Sequence, residues 1–162
     1  MTSDPAPAGH PQHRTLAYAL LRVALGLSLL IHGAVHLAHF DAFESYLQTF
    51  FRSADWVPEW VLSIGAFVVP SAHVLIGLML VLGWLTAPAL LAGSILMILI
   101  TAATSIATHW ELVGPQVLYS VVYFVLLWHL DANTKSIDHK SRRPGGPHKP
   151  RPKRRRKMRG ST

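Results

Sequence analysis

Ten histidines and no cysteine define the side-chain chemistry open to this chain of 162 residues. His32, His36 and His39 stand at i, i+4 and i+7, a spacing that puts three imidazoles on one helix face within ~10.5 Å. Asp41, Glu44 and Glu111 lie close in sequence to His39 and His109 as acceptors that could orient an imidazole. Imidazole and carboxylate without thiolate suit zinc, copper or haem iron. The missing cysteines exclude iron–sulfur clusters, thiolate metal sites and dithiol exchange. His36, His39 and His109 are therefore a candidate metal set. His32, His36, His73 and Arg22 are candidate binding residues for a quinone, a haem or a metal, because ionisable groups inside an apolar span usually face a cavity or a partner.

A packing role stands beside each of these readings. For His39 and His109 interfacial placement or an interhelical hydrogen bond is preferred; for His32 and His73 both readings stay open. Counting residues from the outer edge puts His32 at ~10 Å depth and His73 at ~17 to 20 Å, which argues against a haem held by this pair and favours His36 with His109. Arg22 is expected to anchor to headgroups, with binding of an anionic or quinone oxygen as the alternative. Tyr119 and Tyr123, at i and i+4, form an aromatic face that could flank a flat ring, although such stripes more often pack; His129 is read as interfacial. No nucleophile elbow, phosphate loop or nucleotide fingerprint is present. No catalytic residue is assigned, and the chain is read as an accessory subunit rather than a complete enzyme.

These side chains sit in an apolar frame. The chain is 51% hydrophobic and 14% charged, too apolar for an ordinary soluble domain and for a disordered one. From Lys135 to Thr162 it holds 12 of the 15 Lys and Arg with one acid, Asp138, so the net charge of +7 describes a tail. Apolar runs over 16–40, 60–82 and 87–108 are each long enough to cross a hydrocarbon core of ~30 Å, the shorter run over 114–130 spans if it starts near Val113 and tilts little, and Pro70 falls within the second. No small-x-small cleavage site follows the first run, which is expected to be retained as a span. Between the first two spans, Phe40, Phe43, Leu47, Phe50 and Phe51 recur at helical spacing opposite Glu44, Gln48 and Arg52, predicting a short interfacial helix. Trp60, Trp84, Trp110 and Trp128 fall at span ends, where indole prefers the headgroup level.

The expected architecture is an all-α, integral-membrane, up-down four-helix bundle. Residues 1–14 form an extension, and 132–162 a basic tail kept extended by Pro144, Pro147, Pro150 and Pro152. The excess of Lys and Arg after the fourth span places both termini on the cytoplasmic side of an inner membrane. The tail is expected to attract anionic lipid at ~1 kcal/mol per basic residue near the surface. Nucleic acid is not expected as a partner, since no aromatic interleaving accompanies the charge.

Arg22-x3-Gly26 and His32-Gly33 in the first span, with Gly77 to Gly83 closing the second, resemble the DoxX family of small four-helix membrane proteins over Thr15 to Asp131. His73 stands where that family often carries an acid. The resemblance implies an inner-membrane subunit associated with a quinone-linked oxidoreductase, working with a partner membrane subunit or as a homo-oligomer. Two alternatives from other classes are a structural or assembly subunit and a small-solute or proton carrier.

Overall fold

A computed structural model describes residues 11–134 and 136–138. Within them the chain is all helical: α1 Pro11–Ala38, α2 Phe40–Phe50, α3 Glu59–Leu82, α4 Thr86–Ile106, α5 Trp110–Trp128 and a single 3-10 turn, Leu130–Ala132. Residues 1–10, Lys135 and the segment from His139 onward lie outside the described residues, and with them most of the expected extension and basic tail. α1, α3, α4 and α5 are each long and apolar enough to cross a membrane. This is the expected four-helix membrane bundle. Their outward faces carry large exposed apolar side chains, among them Leu20, Ile31, Ile64, Phe67, Ile98 and Leu118, as a lipid solvent allows. The five tryptophans are at least half exposed; Trp60, Trp84, Trp110 and Trp128 lie at or beside helix ends and Trp56 in the α2–α3 loop.

α1 packs most extensively on α3, and α4 on α5. Glycines set the register of the first pair. A Cβ on Gly77 would fall 2.7 Å from the Gly26 carbonyl oxygen and 2.6 Å from the Leu30 nitrogen, and one on Gly33 would meet the Val74 nitrogen at 2.9 Å. Two backbones in such close approach cannot slide past each other. Further along the same antiparallel register, Arg22 lies against Gly83. In the second pair the Tyr123 ring rests directly on Gly93. Leu80, Leu90 and Leu126 are fully buried and fill the space between the pairs.

α1 begins at Pro11, ahead of the expected start at Leu16, and proline is well suited to a first helical turn. The chain also does not leave the bundle after the fourth span. Asp138 returns to the α3–α4 turn, where its two carboxylate oxygens accept from the N–H groups of Leu85 and Thr86, each at 2.8 Å. It thus caps α4 in place of Leu85, which has no capping side chain and sits at φ 48°. Gly83 closes α3 in the left-handed conformation at φ 66°, its N–H donating to Leu80 and the Trp84 N–H to Met79. Asn133, in the same returning segment, accepts from Arg22 at 3.3 Å.

Candidate functional site: a histidine-walled chamber

Between the halves of the spans nearest α2 lies a chamber of about 750 Å³, within the size range of small-molecule sites. α1 contributes Ser28, His32 and His36; α3 contributes Gly65 and His73; α5 contributes Gln116 and Tyr119. α2 forms its roof. Phe43, Leu47 and Phe50 face the chamber, while Asp41, Gln48 and Thr49 are exposed, so the amphipathic spacing has a tertiary purpose. Three hydrogen bonds pin the roof at its margins. Ser63 on α3 donates to Glu44, Ser53 donates to the Ala107 carbonyl at 2.9 Å, and His109 Nε2 donates to the Phe50 carbonyl at 3.2 Å.

The wall between α1 and α3 carries three imidazoles in contact. His32 meets His36 with ring centroids 4.4 Å apart and His73 at 5.3 Å, both edge to face. This corrects the depth count, which placed His32 and His73 at different levels. Counting from span ends assumes flush ends, whereas the Gly26, Gly33 and Gly77 approaches fix an offset that brings His32 opposite His73. The same contact excludes a haem between these two rings, because an edge-to-face pair at this separation leaves no gap for a porphyrin plane.

His73 is only 5% exposed, and its Nδ1 has no hydrogen-bond partner. Gln116 donates through Nε2 to the Thr104 hydroxyl at 2.8 Å, while its Oε1 is buried and unpartnered. Two buried, unpartnered polar atoms thus belong to residues that line one apolar chamber from α3 and α5, an arrangement that costs free energy unless something satisfies them.

The remaining sequence candidates go elsewhere. His36 is the one member of the expected metal set that lines the chamber. His39 is exposed beyond it, and His109 stacks on Phe50 with centroids 4.0 Å apart, its Nδ1 3.0 Å from Glu111. Among the described residues no group of three His, Asp or Glu is arranged to hold a metal ion. The expected set fails because its members came from a single helix face and a loop, and α2 separates them. Arg22 does not line the chamber either; it is buried near Gly83 and Asn133 at the far end of α1. Of the tyrosine pair, Tyr119 lines the chamber and Tyr123 is buried on Gly93. Gln116, Ser28 and Thr104 went unassigned in the sequence, although a lone Gln inside an apolar run was a visible signal.

Residues 14–115, more than half of the chain, match the family model of the methylamine utilisation protein MauE. The chain belongs to the MauE family. The match replaces the DoxX resemblance, which belongs to a different membrane family. Of the residues behind that resemblance, Gly26, Gly33 and Gly77 here perform a task common to antiparallel spans, the close approach of α1 and α3. With four apolar spans and a membrane family, this MauE chain is a multi-pass membrane protein. The MauE match includes all three chamber histidines and stops one residue before Gln116. Neither the curated proteins nor the solved structures contain a match.

Proposed function

We propose that this chain is a membrane-embedded accessory subunit of an oxidoreductase system of the kind its family name indicates, and that its chamber holds a quinone ring. Use of methylamine requires removal of electrons from its C–N unit, so a membrane component of such a system belongs beside an electron-transfer chain. The chain has no cysteine and cannot itself pass electrons between dithiols. The observation that carries the quinone reading is the pair of buried, unpartnered atoms on residues lining an apolar chamber, His73 Nδ1 and Gln116 Oε1. An imidazole nitrogen donates or accepts according to tautomer, and an amide oxygen accepts. Together they suit a ligand that alternates between carbonyl and hydroxyl oxygens, as a quinone and its quinol do. The neighbouring imidazoles of His32 and His36 extend the polar wall toward the outer end of α1.

The orientation favoured is both termini on the cytoplasmic side of an inner membrane, supported by the Lys and Arg excess after the fourth span. A partner oxidoreductase subunit or a second copy would meet the bundle through its lipid-facing helices, with anionic lipid drawn to the basic tail.

The test is quinone content of the detergent-purified protein, by lipid extraction and by titration with added quinone. Wild type is expected to retain quinone near one per chain. His73→Ala is expected to weaken retention about tenfold, the effect of one lost buried hydrogen bond, with helix content unchanged. Absence of quinone from folded wild type, before and after titration, would leave the assembly-subunit alternative in its place.

A further inference from the structure

We infer that the chamber is filled from the lipid phase, through the seam between α1 and α5, with Ser28 and Tyr119 as its threshold. The inference rests on the reading that the chamber holds a ligand, and it specifies that ligand's class as a membrane-dissolved amphiphile whose polar ring enters first and whose hydrocarbon tail trails through the seam.

The walls of the chamber differ in how firmly they are closed. α1 and α3 are locked by glycine approaches, and α4 and α5 by Tyr123 seated on Gly93. The aqueous side is roofed by α2, which the Glu44, Ser53 and His109 hydrogen bonds hold at three places. α1 and α5, by contrast, meet far more sparsely than either of those pairs. Among the described residues, the seam is bridged at chamber level by the Ser28 and Tyr119 hydroxyls, 3.0 Å apart. Both residues line the chamber, and both are exposed rather than covered by another helix.

Depth decides which solvent meets this threshold. Ser28 lies ten residues from the outer end of α1 and Tyr119 nine residues from that of α5, or about 15 Å at 1.5 Å per residue. That is the middle of a hydrocarbon core of ~30 Å, so the seam opens onto acyl chains and not onto water. Two hydroxyls facing hydrocarbon satisfy each other when the seam is shut. A ligand carrying ring oxygens offers each of them a substitute partner as it passes, which lets the seam open without stranding either group. Past the threshold the ring meets His73 and Gln116, whose orphaned atoms have no other claim on them. A water-soluble solute has no such route.

Because the chain contains no cysteine, one introduced thiol reports access cleanly. Met97 is buried and lines the chamber, so Met97→Cys in proteoliposomes is exposed in turn to a lipophilic maleimide and to a charged one. The lipophilic reagent is expected to label and the charged one to fail. Adding Tyr119→Phe, which keeps the ring and removes the hydroxyl, is expected to speed labelling about three- to tenfold, as loss of one weak intramembrane hydrogen bond allows. Adding Ser28→Trp, which fills the seam, is expected to abolish it. Labelling by the charged reagent at the lipophilic rate would overturn the inference, since the chamber would then open through the roof. Lipophilic labelling indifferent to both threshold substitutions, or no labelling by either reagent, would overturn it equally. If labelling follows the expected pattern while no quinone is retained, the quinone reading falls and the lipid-side entry stands.

Discussion

His73 illustrates how a membrane span isolates a polar group. Its neighbours along α3 are Ala72 and Val74, its ring touches His32, and its Nδ1 has no partner. The proposed ligand would complement it, and substitutions that change chamber volume test this separately from those that change its hydrogen bonds. Gly65 lines the chamber, and a Cβ there would meet nothing within 4 Å. Gly65→Leu is therefore expected to leave the bundle folded, with unchanged helix content, and to displace bound quinone by filling its space. His39→Ala, at an exposed position outside the chamber, is expected to leave quinone retention as in wild type. Equal losses from Gly65→Leu and His39→Ala would indicate a general loosening of the outer face rather than a defined site.

At the scale of elements, the α1–α3 contact positions the histidines, and glycine makes that contact. Gly77→Leu is expected to cost more than the ~1–3 kcal/mol usual for overpacking, because the obstacle is the Gly26 and Leu30 backbone and not a movable side chain. Denaturant unfolding in detergent micelles measures this, with Gly114→Ala, where a Cβ meets nothing, as the neutral comparison. The returning C-terminal segment is the second such element. Asp138→Ala leaves the Leu85 and Thr86 N–H groups without their acceptor, and a loss of ~0.5–2 kcal/mol is expected in the same experiment. An Asp138→Ala protein as stable as wild type would mean that water or headgroups serve that helix end equally well.

For the whole molecule, the charge distribution bears on orientation and the apolar surface on the membrane. Three of the 15 Lys and Arg precede Lys135, so replacing Lys135 and those that follow by Gln removes most of the charge signal on which the proposed orientation rests. Protease access to tagged termini in spheroplasts is expected to show a mixed orientation for that variant and a single one for wild type. An unaltered single orientation would assign topology to the loops instead. α2 roofs the chamber at one end of the bundle, and the α3–α4 turn capped by Asp138 lies at the other.

Length, apolar composition and the placement of tryptophan were enough to establish four spans and an amphipathic helix between the first two, because crossing a hydrocarbon core demands them whatever the neighbours are. The His32 and His36 face was equally legible, since i, i+4 spacing fixes it within one helix. Tertiary structure alone decided that His32 meets His73, that His109 latches α2 rather than joining a metal set, and that Arg22 turns to Asn133 and Gly83 at the other end. The physical reason is the same in each case. Periodicity reports what one helix presents, whereas the offset between two helices is set by a few close backbone approaches, here at Gly26, Gly33 and Gly77, whose partners no local pattern names.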